Sequence, residues 1–223
     1  MSGDGLDETT LVLPCLDEGP SLRALLPRVP ADLRVVVADN ASTDDTAAVA
    51  RSFGATVVQA SPRGYGAAVH AGVEAATTRW VAVMDGDGSL DPDDVAPLLA
   101  LVRGGEADLA MGRRVPVSRG LVPWHARLGN AMILRLLRRR IGVGVRDIGP
   151  LRVCERERLL ALGVEDRGMG YPVELLDRAT RAGWRIVERD VAYHPRTAGT
   201  RSKVSGSLRG TLRTARDIGR VLA

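Results

Sequence analysis

The sequence predicts an α/β fold with a mostly parallel central sheet flanked by helices. Three observations carry it. Short β-branched runs alternate with helical stretches through the first half, the run Arg34 to Ala38 is apolar at every position after its arginine, and two runs end abruptly in aspartate. Alternation at this spacing requires parallel strands joined by crossover helices. A strand without polar alternation is one covered on both faces.

In order, Thr10 to Leu13 reads as the first strand and Pro20 to Leu26 as a short helix. Arg34 to Ala38 is the second strand. Ser42 or Thr43 then stands where a hydroxyl caps a helix, here one reaching Phe53. Thr56 to Gln59 is the third strand, Gly66 to Ala76 a helix, and Trp80 to Met84 a fourth strand that stops at Asp85. Pro92 opens a helix with Asp93 and Asp94 in its first turn, where the helix dipole favours acids. Ala107 to Met111 is the fifth strand. Val122 to Arg140 is helical, Leu151 to Cys154 a short strand, Tyr171 to Ala182 a helix, and Trp184 to Tyr193 a longer strand. Leu208 to Leu222 predicts a basic amphipathic helix, with Leu208, Leu212, Ala215, Gly219 and Leu222 on one face and Arg209, Arg213, Arg216 and Arg220 beside it.

Composition narrows the class. The chain has 223 residues, 45% of them hydrophobic and 26% charged, which suits one single-core domain with a small appendage. The longest apolar run, Val95 to Val102, contains a proline and falls far short of the roughly 18 residues a membrane span needs. No basic start followed by an apolar block is present, so no secretory signal is expected. Cys15 and Cys154 are too isolated for a disulfide scaffold or a zinc ribbon. His70, His125 and His194 have no partner at ligand spacing. One phenylalanine and three tyrosines leave little for base stacking, so no nucleic acid partner is expected. The expectation is a reduced, cytoplasmic protein.

Charge is unevenly divided. Residues 1–112 hold 17 acids against 7 arginines, and residues 113–223 hold 10 acids against 24 bases. The acidic half suits metal capture, and the basic half suits phosphates or an anionic membrane surface. Lys203 is the single lysine beside 30 arginines.

The acids concentrate where a parallel sheet collects ligands, beyond the carboxyl ends of its strands. Asp39 follows the second strand, and Asp85-Gly86-Asp87 follows the fourth. Two carboxylates one residue apart can both face a hard divalent cation, with Gly86 leaving the backbone uncovered. Mg²⁺ takes few protein carboxylates together with substrate phosphate oxygens, the demand of a nucleoside diphosphate. A calcium loop is excluded, because its sixth and twelfth positions hold Leu90 and Ala96. A dinucleotide fingerprint is also excluded: Gly64-Tyr65-Gly66 follows the third strand and no glycine stands three residues after Gly66.

The motifs, in order, resemble those of family 2 glycosyltransferases of the Rossmann-like GT-A fold, and are most similar to the dolichol- and polyprenyl-phosphate sugar synthases. The resemblance runs from Leu11 to about Gly206. Leu13-Pro14-Cys15-Leu16-Asp17-Glu18 resembles the first-strand motif that meets the nucleoside, and the segment from Val37 to Asp44 resembles the second-strand motif, which implies Asp39 near base or ribose. Arg63 to Ala68 resembles the loop over the nucleotide, and Asp85 with Asp87 the metal-binding pair. Gly112-Arg113-Arg114 with Trp124, Arg127 and Asn130 is similar to the acceptor side. Asp147 with Arg152, and Glu174, match further family positions, while Arg196 with Ser202 and Lys203 resembles a late phosphate-binding motif. The chain departs from the pattern at Gly149-Pro150-Leu151-Arg152, at the small Ser89, and in one extra residue between Arg196 and Ser202.

The resemblance implies a nucleotide-sugar site built from Pro14, Glu18, Asp39, Gly64, Gly66, Asp85 and Arg113. It implies an acceptor and phosphate site of Arg127, Arg152, Arg196, Arg201, Ser202 and Lys203, and Mg²⁺ or Mn²⁺ on Asp85 and Asp87. Residues 1–205 are expected to form one catalytic domain, with a nucleotide and metal half (1–112) and an acceptor half (113–205), followed by the basic helix at 206–223. The expected reaction is inverting transfer of a hexose from a GDP- or UDP-sugar. Asp87 serves the reacting diphosphate, and Asp147 and Glu174 are the candidate bases if the acceptor is a hydroxyl. A polyprenyl phosphate, largely dianionic near neutrality, needs cations rather than a base. The basic helices could also lie on the inner face of an anionic membrane. A soluble small-metabolite acceptor and an inactive nucleotide-binding partner subunit are the alternatives.

Overall fold

The computed structural model describes residues 5–118, 121, 124–142 and 144–197, with the side chains of 124–127 and 140–141 outside that description. Seven strands form one sheet: β1 (Thr9–Cys15), β2 (Arg34–Asp39), β3 (Thr56–Gln59), β4 (Trp80–Val83), β5 (Leu109–Pro116), β6 (Leu151–Glu155) and β7 (Ile186–Tyr193). Their order across the sheet is β3-β2-β1-β4-β6-β5-β7. β6 runs antiparallel to both β4 and β5, and the other pairings are parallel. The mostly parallel sheet expected from the sequence is therefore present.

Period-two alternation divides the core. Leu11, Leu13 and Cys15 of β1, with Trp80 and Ala82 of β4, face one layer, where α1 (Gly19–Leu25), α2 (Thr46–Ser52) and α4 (Val95–Arg103) pack. Val12, Val81 and Val83 face the other layer, with α3 (Tyr65–Ala75), α5 (Trp124–Ile141), α6 (Arg156–Ala161) and α7 (Tyr171–Arg181). Leu11, Val12 and Leu13 are all fully buried. This explains why the central runs read as continuously apolar.

Three details differ from the sequence reading. α6 was not anticipated, because six residues are too few to show a helical period. β5 continues to Pro116, where β7 pairs with it through Tyr193. The hydroxyls expected to cap α2 lie upstream of it: Asp45 precedes the helix without a side-chain cap bond. The Ser42 amide donates to Asp39 Oδ1, and the Thr43 amide and hydroxyl donate to Asp17 Oδ1, so loop bonds use both residues. The segment 206–223 lies outside the described residues.

Candidate functional site

The site assembles beyond the carboxyl ends of β1, β2 and β4. Pairing of Cys15 with Asp39, and of Val12 with Val83, brings these ends side by side. Asp39 is 4% exposed. Its Oδ1 accepts from Ser42 N at 2.9 Å and its Oδ2 from Gln59 Nε2 at 2.9 Å. Asp17 and Ala41 both adopt positive φ, 48° and 63°, a conformation that side-chain-bearing residues adopt at a cost. Asp17 N donates to Ser42 Oγ at 2.9 Å, and Thr43 N to Asp17 Oδ1 at 2.6 Å. Mutual bonding holds the two loops in that shape. Glu18 is buried, donating its amide to Thr46 Oγ1 and accepting from Ser21 Oγ, both at 2.8 Å. Pro14 lies half-buried beside Ala38.

Gly64 and Gly66 begin α3 against the loop 166–168. Gly66 N donates to Gly168 O at 3.0 Å and Ala67 N to Arg167 O at 2.9 Å. A Cβ on Gly64 would collide with Arg167 O, and one on Gly66 would stand 2.5 Å from Asp166 O. Both positions need glycine for close backbone approach, not for unusual dihedrals. Asn40 Oδ1 accepts from Gly64 N at 3.0 Å, joining this turn to β2.

The acid corner is packed as tightly. A Cβ on Gly86 would lie 2.5 Å from Cys15 Sγ, and Gly88, at φ 77°, faces Thr197. Asp87 is 3% exposed; its Oδ1 accepts from Ser89 N at 2.9 Å, and Arg196 Nη2 lies 3.0 Å from its Oδ2. Burial, then the neighbouring Asp87 charge, pushes the Asp85 carboxyl up to about 6, against the opposing pull of Arg196, Arg114 and Arg152. Burial, followed by the charges of Glu18, Asp39, Asp85 and Asp87, also raises the Cys15 thiol, which keeps it a neutral packing group.

Three arginine charges therefore act on Asp85, and one of them, Arg196, contacts Asp87. Arg152 is 3% exposed, and its Nε and Nη1 have no hydrogen-bond partner among the described residues. Arg113, by contrast, forms paired bonds with Asp190, its neighbour across β5 and β7, at 2.5 and 2.6 Å. Its strand neighbour Arg114 bonds Asp147 instead, and its charge acts on Asp85. Arg113, the one of the two expected at the nucleotide sugar, is held by its pair with Asp190, whose register β7 sets.

Both candidate bases are engaged. Asp147 accepts from Arg114 Nε and Nη2 at 2.8 Å each and from Arg114 N at 3.1 Å. Burial opposes its ionisation, but the hydrogen bonds and charge of Arg114 hold its carboxyl below the usual range. Glu174 accepts from Glu165 N at 3.0 Å, Asp166 N at 2.6 Å and Arg178 Nε at 2.6 Å. It thus fastens the loop on which Gly64 and Gly66 rest. The Arg127 side chain and all of Arg201, Ser202 and Lys203 lie outside the described residues.

Among the described residues, no cluster of three or more His, Cys, Asp or Glu could hold a metal by itself. Asp85 and Asp87 supply two carboxylates, and Ser89 Oγ beside them is buried without a hydrogen-bond partner among the described residues. This donor set fits a hard cation that completes its shell with diphosphate oxygens.

The profile of Glycosyl transferase family 2 matches residues 10–154. The chain belongs to this family. A Mycobacterium tuberculosis chain known as an uncharacterized glycosyltransferase is 54% identical over 223 residues, the whole of both chains. Polyprenol monophosphomannose synthase of Mycolicibacterium smegmatis is 31% identical, covering 89% of this chain and 82% of its own. Undecaprenyl-phosphate mannosyltransferase of Micrococcus luteus is 32% identical, with 89% and 88% covered. Among solved structures, glucosyl-3-phosphoglycerate synthase of Mycobacterium tuberculosis with Mn²⁺ and UDP-glucose superposes with a TM-score of 0.70 at 24% identity, over 96% of this chain and 77% of that one. The family 2 glycosyltransferase thus has the GT-A fold expected from its motifs.

Proposed function

We propose that this family 2 glycosyltransferase moves a hexose from a GDP- or UDP-sugar to a polyprenyl phosphate, with inversion at the sugar carbon and dependence on a divalent cation. The observation that carries the acceptor class is the occupation of both candidate bases. Asp147 is committed to Arg114 and Glu174 to a loop, whereas Arg152 Nε and Nη1 have no hydrogen-bond partner among the described residues. Such a site suits an acceptor that arrives already anionic and needs cations rather than proton removal.

Asp85 and Asp87 would hold Mg²⁺ or Mn²⁺. When bound, the ion offsets negative charge growing on the departing diphosphate. The protein's own part is to orient and neutralise. Asp39 and the Gly64–Gly66 turn seat the nucleoside, while Arg114, Arg152 and Arg196 supply charge around the phosphates.

The relatives acting on polyprenyl and undecaprenyl phosphate support the lipid acceptor. The outer face of α5 supports it independently. Leu128, Met132 and Leu136 recur every fourth residue and are 60%, 62% and 41% exposed, next to exposed Arg135, Arg138 and Arg139. No helix among the described residues is long and apolar enough to cross a membrane, so contact would be peripheral. A second reading, a small soluble acceptor, draws support from solved neighbours of the same fold that hold phosphoglyceric acid.

The test is turnover of GDP- and UDP-hexoses with Mg²⁺ or Mn²⁺, with and without a short polyprenyl phosphate. Transfer only with the lipid supports the proposal. Transfer only to a soluble acceptor replaces it with the second reading. Asp85→Asn with Asp87→Asn should reduce kcat/KM by at least about 10²-fold. NMR of the first-formed product showing retained configuration would refute inversion.

A further inference from the structure

Asp39 and Gln59 are register partners on the parallel strands β2 and β3. Their side chains therefore leave the sheet on the same face, at the end where a parallel sheet receives its ligand. The two differ in burial: Asp39 is buried and Gln59 is exposed. Gln59 Nε2 donates to Asp39 Oδ2 at 2.9 Å, and Ser42 N donates to Asp39 Oδ1 at 2.9 Å. A carboxylate only accepts, so this bond decides which end of the Gln59 carboxamide faces Asp39. The nitrogen turns inward, and beyond that bond the carboxamide still offers one N–H and its carbonyl oxygen. Asn40, the next residue, accepts from Gly64 N at 3.0 Å, so the turn at the start of α3 closes on the same strand end.

An exposed glutamine gives up rotamer freedom to be held this way. The result is a fixed pattern, an acceptor on Asp39 directly beside a donor on Gln59. Uracil carries the complement, an imide N–H flanked by carbonyl oxygens. Cytosine has a bare ring nitrogen where uracil has the N–H, and would set its lone pair against the carboxylate. Guanine presents two neighbouring N–H groups and requires both carboxylate oxygens. Each of these already accepts an N–H, and the carboxylate is buried. A site built around hydrogen bonds rejects a base that leaves its groups unpaired.

We propose that Gln59, held by Asp39, is a specificity-determining residue that reads the imide edge of uracil, which makes the donor a UDP-sugar rather than a GDP-sugar. The inference rests on the reading that this strand end receives the nucleoside of a nucleotide sugar.

The experiment is calorimetric titration of UDP, GDP and pyrophosphate, each with Mn²⁺, into wild type and Gln59→Leu. Wild type is expected to bind UDP at least about tenfold more tightly than GDP. In Gln59→Leu the UDP Kd should rise about 5- to 10-fold, in line with the loss of one hydrogen bond, with the pyrophosphate Kd and Tm close to wild type. An equal loss for UDP and pyrophosphate, or no loss for either, overturns the role of Gln59. Wild type that binds GDP as tightly as UDP, or more tightly, overturns the choice of base. Wild type that binds neither nucleotide overturns the nucleotide-sugar reading beneath it. A second measurement leaves the protein untouched: N3-methyl-UDP lacks the imide proton and should bind wild type at least about tenfold more weakly than UDP. Equal affinity for the two also overturns the proposal.

Discussion

Arg196 Nη2 stands 3.0 Å from Asp87 Oδ2, and the following residue secures the contact, since Thr197 N donates to Asp87 O at 3.2 Å. His194 N donates to Ser89 O at 2.9 Å, so the segment leaving β7 lies along the acid corner. A basic side chain assigned to phosphate thus rests on a carboxylate assigned to metal. Each is the natural counterion of the other until substrate arrives.

Exchange of these partners makes the first prediction. In Arg196→Gln a competitor for Asp87 is removed, so Mn²⁺ affinity of the nucleotide-free protein should rise about 3- to 10-fold, in line with the ~1 kcal/mol of a partly exposed pair. Affinity for UDP or GDP in the presence of Mn²⁺ should fall about tenfold, because the diphosphate loses a charge-assisted partner. Calorimetric titration reads both quantities. Movement of both in the same direction would reject the exchange.

The second prediction concerns Asp147, where an anchor and a base give opposite signatures. As an anchor, it leaves Arg114 unpaired when changed to Asn, costing about 3 kcal/mol at pH 7. As a base, it would reduce kcat at unchanged stability. Its carboxyl is held below the usual range, so the stabilisation is full above the unfolded value of about 4 and is lost as pH falls through the lower folded value. The stability gap between wild type and Asp147→Asn should therefore be constant from about pH 5 to 8 and narrow under more acidic conditions. Urea unfolding across that range checks it.

Glu174 provides the third. Its carboxylate takes two loop amides and Arg178, so Glu174→Ala should cost about 2–4 kcal/mol, with the unsatisfied amides the main term. Because that loop carries the Gly64–Gly66 turn, the donor KM should rise as well. Glu174→Gln keeps acceptor capacity and should retain kcat within about fivefold. A loss above about 10³-fold in kcat at wild-type Tm would instead identify a base.

These cases show where the sequence is informative. Strands β1, β2 and β4 and the Asp85-Gly86-Asp87 corner could be read directly, because burial on both faces leaves an apolar run and the ligand end is marked by acids. Arg113 and Arg114 could not be ranked, since a strand alternates its faces and the deciding register lies 77 residues away, at Asp190. Asp147 and Glu174 had the right chemical type for bases. Which lone pairs were already in use depended on Arg114, Arg178 and two backbone amides, which only the folded chain brings together.

The fourth prediction concerns the outer face of α5. Leu134 and Leu137 are buried in the second core layer, while Leu128, Met132 and Leu136 lie outside it among exposed arginines. An apolar stripe with basic flanks gains from anionic lipid on two counts: its side chains leave water, and each base near the surface contributes about 1 kcal/mol. The triple variant Leu128→Gln, Met132→Gln, Leu136→Gln removes the first gain without touching the core. It should fold with wild-type Tm and bind UDP and Mn²⁺ unchanged, yet lose about tenfold or more in co-flotation with phosphatidylglycerol vesicles and in turnover of vesicle-borne polyprenyl phosphate. Turnover of a short, water-soluble polyprenyl phosphate should be unaffected, since that acceptor reaches the site without a surface. If the variant lost activity equally with both acceptors, α5 would be contacting the acceptor itself rather than the membrane that carries it.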